Sequence, residues 1–314
     1  MSEWVTAFAP ASIGNVAVGF DVLGLALEGI GDRVLARRAD GEGVTVAEVR
    51  GLDGDIHPYL STNAEENTAS IAAQSFWDRH GDGGGVELKV HKGVPLQSGM
   101  GSSAASAVAA AVAANGLLDN PQPVEALLEF AIEGEKYASG GLHADNVAPS
   151  LLGGLVLCPQ VLLPDVIPLP VPEGVSAALI HPDLQVNTAQ ARRRLAKSCA
   201  TQQWVDQQGL LAGFVAACAA GDIDLIGKTL RDVIIEPQRK AAVPCFDAVE
   251  AAAEKSGALG CSLSGSGPSM FALCRTGDVR NLAMAMEQAC RSQGIACESW
   301  TSPLTAPGAR IESG

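Results

Sequence analysis

The chain has 314 residues, with 21 Lys and Arg against 35 Asp and Glu, giving a net charge of −14. That balance excludes a general nucleic-acid binder and a protein docked on an anionic membrane, since both need clustered cations. Apolar residues make up 47% and charged ones 18%, a globular composition with enough apolar surface for a core, and the length suits roughly two domains of about 150 residues.

Residues 4–27 mix β-branched and small residues with Gly and read as strand, loop, strand. Residues 44–49 alternate weakly and read as a further strand. Thr68–His80 reads as a helix with Ile71, Ala72, Ser75 and Phe76 on one face, ended by a Gly-rich turn at 81–85. Residues 86–90 form a strand of period two. A Gly- and Ser-bearing loop follows, then an Ala-rich helix over 103–117 that is too short and too weakly hydrophobic to span a bilayer. A Pro-marked turn at 119–123 separates it from a helix over 124–138.

Five prolines (Pro159, Pro164, Pro168, Pro170 and Pro172) mark the compositional boundary, so the domains are predicted at 1–157 and 158–314. Beyond it the pattern gives a strand at 175–180 and helices near 188–197, 203–220, 223–233 and 244–256. A strand, Gly loop and strand over 258–274 and a helix over 279–293 complete the chain. Strands and helices alternate without a strict βαβ repeat, which predicts an α+β fold.

All eight cysteines lie between Cys158 and Cys297, none forms a CxxC pair, and the closest two are seven apart. This is neither zinc spacing nor a disulfide framework, and it predicts reduced thiols in a cytoplasmic protein. The N-terminal residues carry Glu3 and no base before Arg33, unlike a signal peptide.

Gly is 35 of 314 residues, about 11% where about 7% is usual, and the excess points to tight turns and close backbone approach to a ligand. Its strongest concentration of chemistry is Val94-Pro-Leu-Gln-Ser-Gly-Met-Gly-Ser-Ser-Ala-Ala105. Gly99 and Gly101 let the backbone approach an anion, Ser102 and Ser103 suit a helix N-cap, and the free N–H groups of the following helix attract negative charge. No Lys follows Gly101, so this is no Walker loop. Gly99 to Ala104 matches the dinucleotide fingerprint G-x-G-x-x-A, but Pro95 to Ser98 intervene after the strand and no acidic strand end follows about 20 residues on. A nucleophile elbow is nearly present at Gly260-Cys-Ser-Leu-Ser264, without its last Gly. Two loops of the same character, Ala9 to Asp21 and Ser262 to Ser269, suggest one cleft lined from three sides.

Together, the Pro95 to Ala105 loop, the Ala9-Pro-Ala-Ser and Gly19-Phe-Asp-Val-Leu-Gly24 segments and the Ser262 to Leu273 segment resemble the three motifs of the GHMP kinases. That family phosphorylates small hydroxylated metabolites with ATP. The motifs stand in the family's order and span nearly the whole chain; Met100 stands where Leu is usual, an isosteric change. His143-Ala-Asp-Asn-Val-Ala-Pro149, Glu236-Pro-Gln-Arg239 and Thr188-Ala-Gln-Ala-Arg192 look like the members that act on homoserine. The resemblance implies a first domain like the second domain of ribosomal protein S5, ending near a strand at Leu151. It implies a second domain like a ferredoxin-type α/β sandwich, and a homodimer.

For the site, the resemblance implies ATP held by Pro95, Leu96, Ser98, Gly99, Met100, Gly101, Ser102, Ser103 and Ala104. Mg²⁺ would be held by Glu135 and a loop hydroxyl, Ser103 or Ser102, with Glu133 a decoy on another helix face. Arg192 and Arg239 would take the substrate carboxylate and Asp21 its ammonium. Asn15, His143 and Asn146 would line the same site, and Asn146 would hold the reacting hydroxyl. Asp145 stands where several relatives place a base, a role that transfer to phosphate does not require. The product is expected to be O-phospho-L-homoserine, toward threonine. Another small-alcohol kinase acting on mevalonate, shikimate or a sugar is the near alternative, and a non-catalytic dinucleotide-binding module the distant one.

Overall fold

The structure is a computed structural model and describes residues 3–312. The chain begins with β1 (Val5–Gly14), the long β2 (Leu23–Ala39), β3 (Gly43–Arg50), α1 (Thr68–His80) and β4 (Gly85–His91). Three helices follow, α2 (Ser102–Asn115), α3 (Leu128–Ser139) and α4 (Val147–Leu152), then the short strands β5 (Leu155–Leu157) and β6 (Ile167–Leu169). Next come β7 (Val175–Pro182), α5 (Thr188–Arg193), α6 (Thr201–Ala220), α7 (Ile223–Thr229), α8 (Glu236–Arg239) and α9 (Phe246–Lys255). The last elements are β8 (Gly260–Leu263), β9 (Met270–Arg275), α10 (Val279–Ser292), β10 (Cys297–Pro303) and β11 (Arg310–Glu312).

Among the described residues the strands form two sheets, as the α+β reading expects. The first is seven-stranded, ordered β11-β1-β2-β4-β3, with β5 paired to β2 and β6 to β5. β3 and β4 are parallel because α1 carries the chain between them; the other pairs are antiparallel. The second sheet is four-stranded and antiparallel, ordered β10-β7-β9-β8. Counted by its own strands this is 4-1-3-2, the order of a ferredoxin-type sandwich, with Phe246, Val249, Leu282 and Met286 of α9 and α10 packed in its core.

Helix α2 is buried along its whole length except at Ser103. Its run of Ala side chains lets α1 and α3 approach closely. Gly134 marks the contact on α3: a Cβ there would meet Thr68 O at 2.4 Å and Ala107 Cβ at 2.9 Å. That approach brings the next residue, Glu135, against the start of α2. A second apolar cluster joins the halves, with Ile13, Leu25, Met100 and Leu155 packed with Leu179, Phe214 and Phe271.

The chain departs from the sequence reading in several places. Leu151 lies in the last turn of helix α4 instead of in a strand, because Gly153 (φ 82°) and Gly154 (φ 61°) turn the chain into β5. The helix expected over 223–233 stops at Thr229, and the side chain of Asp232 then accepts the N–H groups of Ile234, Ile235 and Glu236 to start α8. The helix at 188 ends at Arg193, and the first turn of the 124–138 helix is 3₁₀. The Pro-rich segment still runs along the first sheet through β6, and β11 returns to it, so that sheet draws on both sides of residue 157.

Candidate active site

The three Gly/Ser loops meet. Ser12 N–H donates to Met100 O at 3.0 Å and Gly265 N–H to Gly14 O at 3.0 Å. Ser269 N–H donates to Ser98 O at 3.0 Å and Ser264 Oγ to Gly99 O at 2.7 Å. They enclose a cleft of about 350 Å³ that takes in Asn15, Asp21, Leu96, Ser98, Gly99, Gly101, Ser102, Ser103, Glu135, His143, Asp145, Asn146, Arg192 and Arg239. Of the residues expected to hold nucleotide, Pro95 borders a neighbouring cavity of about 800 Å³, and Leu96 borders both. Met100 and Ala104 are fully buried beneath the loop, so the cleft is offered their backbone and not their side chains.

Gly99 (φ 78°) and Gly101 (φ 69°) sit in the left-handed region, and a Cβ on Gly99 would lie 2.3 Å from Ser264 O. Glycine is required there by both conformation and space. The N-cap of α2 is Gly101, with no side-chain cap; Ser102 Oγ donates instead to Val94 O at 2.9 Å. This corrects the serine N-cap expected from sequence. It leaves the first turn of α2 without a side-chain competitor for an anion.

Glu135 projects from α3 into this end of the cleft. Burial raises its carboxyl to about 7, a hydrogen bond from Ser103 opposes the rise, and Asp145 adds to it. Glu133 is exposed and pairs with Lys136 at 3.4 Å. Mg²⁺ takes one or two protein oxygens and leaves its other positions to phosphates and water. A buried carboxyl beside a hydroxyl, open to an anion site, fits that demand. No cluster of three or more His, Cys, Asp or Glu able to hold a metal occurs among the described residues.

The other end of the cleft is charged. Arg192 donates to both oxygens of Asp21, at 2.8 and 2.7 Å. Arg239 is buried, donates one N–H to Gly265 O at 2.9 Å, and has no hydrogen-bond partner at Nε among the described residues. Burial, with Arg192 nearby, lowers it from its ordinary value, a shift that a bound carboxylate would reverse. Both guanidinium groups stack on Phe20, at 5.3 and 5.1 Å from its ring centre. His143 Nδ1 lies 3.8 Å from Asp21, and burial lowers its pKa, so it is neutral near pH 7.

Asn15 donates to Gly265 O at 2.9 Å and accepts Asp21 N–H at 3.0 Å, while Asn146 accepts from Ser12 Oγ at 2.9 Å. Asn15, Val16 and Ala17 are successive left-handed residues at φ 69°, 43° and 55°, and Asp21 follows at 60°. Such strain in non-Gly residues persists only where surrounding contacts hold it. Asp145 supplies one: it accepts the Asn15 N–H, and burial raises it to about 7.

Sequence reasoning missed Phe20, Ser12, Thr188, Ser266 and the pair Asp32–Lys92, which is buried behind the loop. Asp32 carries the one signal that was available: an acid within a strand of apolar residues must find a partner once buried.

The model for the GHMP kinases N terminal domain matches residues 67–154 and that for the GHMP kinases C terminal matches 214–292. The chain is 43% identical over 306 residues to a homoserine kinase of Xanthomonas campestris pv. campestris, covering 97% of this chain and 93% of that one. It is 41% identical over 321 residues to a homoserine kinase of Chlorobium phaeobacteroides, covering 98% and 99%. A crystal structure of homoserine kinase from Cytophaga hutchinsonii superposes with a TM-score of 0.94 at 43% identity, covering 99% of this chain and 98% of that one.

Proposed function

The chain belongs to the GHMP kinase family, and from that premise we propose that it transfers the γ-phosphoryl group of ATP to the side-chain hydroxyl of L-homoserine. The product is O-phospho-L-homoserine, on the way to threonine. One observation carries the substrate: Asp21 and the two arginines Arg192 and Arg239 share one cleft with the Gly99–Gly101 loop. A free α-amino acid presents the complementary charges, ammonium to Asp21 and carboxylate to the arginines. Sugars and mevalonate lack that pair.

The triphosphate lies along the N–H groups from Gly99 to Ala104 at the start of α2, and the base enters the neighbouring cavity reached past Leu96. Glu135 and Ser103 are the ligands available to Mg²⁺, which when bound neutralises charge on the phosphates. Asn15 and His143 border the amino-acid end, and Asn146, braced by Ser12, holds the hydroxyl toward the γ-phosphate. Transfer needs little beyond positioning and charge neutralisation. The hydroxyl attacks directly, its proton passing to phosphate, while Asp145 holds the Asn15 turn.

The same reading keeps domains at 1–157 and 158–314, each containing one of the two matched regions. It also keeps a homodimer, which sedimentation of the purified chain tests. Eight free cysteines, seven of them buried, support a cytoplasmic location. No helix among the described residues is long and apolar enough to cross a membrane. A panel of alcohols with ADP release as readout tests the substrate. Homoserine should turn over best; better turnover of mevalonate, galactose or shikimate would contradict the assignment.

A further inference from the structure

Behind the phosphate loop lies a fully enclosed ion pair. Lys92 and Asp32 side chains are 4% and 0% exposed, and the Lys92 ammonium contacts Asp32 directly. The same ammonium donates to Ser102 O and to Ser106 Oγ, each at 2.8 Å. Ser106 in turn donates to Asp32 Oδ2 at 2.6 Å. The other Asp32 oxygen accepts the N–H groups of Gly93 and Val94 at 2.8 and 3.0 Å. This last contact depends on Gly93: a Cβ there would lie 2.0 Å from Gly31 O, so β2 and the start of the loop run in backbone contact.

The contacts fall at both ends of one segment. Gly93 and Val94 begin the loop that presents Gly99 and Gly101; Ser102 and Ser106 are the first turn of α2, where it ends. A closed set of charges at this depth is costly to bury, and apolar side chains of similar volume stabilise a core at least as well. What they do not do is fix backbone N–H and C=O groups at two places at once.

We infer that Asp32, Lys92 and Ser106 are positioning residues for ATP, a clasp that fixes the start of the loop against the first turn of α2 so that the phosphate-binding N–H groups are set before the nucleotide arrives. The clasp acts through the loop, and Lys92 here faces inward to Asp32 and not toward phosphate. The inference rests on ATP lying along Gly99 to Ala104. It predicts a defect confined to the nucleotide side of the reaction, because the amino-acid end is held separately by the Asn15, Asp21 and Arg239 contacts.

Three variants test it: Ser106→Ala, Asp32→Asn, and the charge-free double variant Asp32→Leu with Lys92→Met. The readouts are Kd for ATP with Mg²⁺ by calorimetry, KM for each substrate, and thermal unfolding. All three should weaken ATP binding and raise its KM by about tenfold or more, the scale of losing supports behind a binding shell, with KM for homoserine within about threefold. The double variant should keep that defect at a Tm near wild type. Ser106→Ala leaves the ion pair in place, so it answers the question even if the double variant does not fold. Wild-type ATP affinity in Ser106→Ala, or in a stably folded double variant, would overturn the inference, as would equal losses for both substrates. Wild-type protein that binds ATP but leaves homoserine unphosphorylated would count against the functional reading alone.

Discussion

Asp145 carries the sharpest question at the level of single residues. Its raised pKa of about 7 is where a general base works best, yet its carboxyl accepts the Asn15 N–H and so holds a left-handed turn. If holding the turn is its task, Asp145→Asn keeps most of kcat, because an amide oxygen accepts the same bond. A loss of about 10³-fold in kcat would show that it takes the proton. Sequence separated Glu135 from its neighbour Glu133 and named Asn15, Asp21, His143, Asn146, Arg192 and Arg239, which the structure gathers in one cleft, because motif matches name positions one at a time. It did not show that Arg192 and Asp21 pair with each other, nor that Phe20 stacks both arginines, since these contacts join residues more than 170 positions apart. The Asp32–Lys92 pair, 60 positions apart, was hidden for the same reason. Either single neutralising variant of that pair, Lys92→Met or Asp32→Leu, should cost about 3–5 kcal/mol by denaturant unfolding, since each leaves a buried charge alone.

Elements with a clear period or a Gly boundary were legible, as α1 shows: its bounds, Thr68–His80, are those read from sequence. Elements shaped by tertiary contacts were not. Helix α8 has four residues and exists because Asp232 caps it and Ser262 Oγ donates to Glu236, joining it to β8. The sequence pattern, which ends the preceding helix at 233, assigns no helix there. β10 and β11 are half-polar strands at sheet edges and carry little signal of their own. The phosphate loop was legible as glycines, and the structure adds what each one prevents. Gly99→Ala would force a side chain into the left-handed region and against Ser264 O. It should cost about 2 kcal/mol or more of stability, together with loss of ATP binding, measured by thermal unfolding and calorimetry. Wild-type values for both would mean that the loop adapts and the glycine is not required.

Over the whole molecule, an acidic chain binds an anion without a surplus of cations. The groups assigned to the triphosphate are backbone N–H groups and a helix start, neither of which enters a net charge of −14. The cleft also keeps two carboxyls, Glu135 and Asp145, raised by burial from 4.5 and 3.8 to about 7. Because the folded form holds these protons more tightly than the unfolded chain, their contribution to stability is complete below the unfolded values and is lost as pH rises toward 7. The ligand-free protein should therefore lose Tm between about pH 4 and 7 and level off above, and Glu135→Gln should flatten that slope. An unchanged slope in the variant would remove Glu135 as its source. Glu236, raised to about 7 by burial near β8, contributes in the same direction and remains in the variant.

The claim that the cleft reads a zwitterion is tested by kcat/KM for homoserine, 4-hydroxybutyrate and 3-aminopropan-1-ol, measured in wild type and in Arg239→Ala. The first two alcohols carry the carboxylate and the third does not. The arginine variant should lose about 10- to 100-fold on homoserine and on hydroxybutyrate, as expected for a charge-assisted hydrogen bond, and almost nothing on aminopropanol. An equal loss on all three would contradict a carboxylate at Arg239.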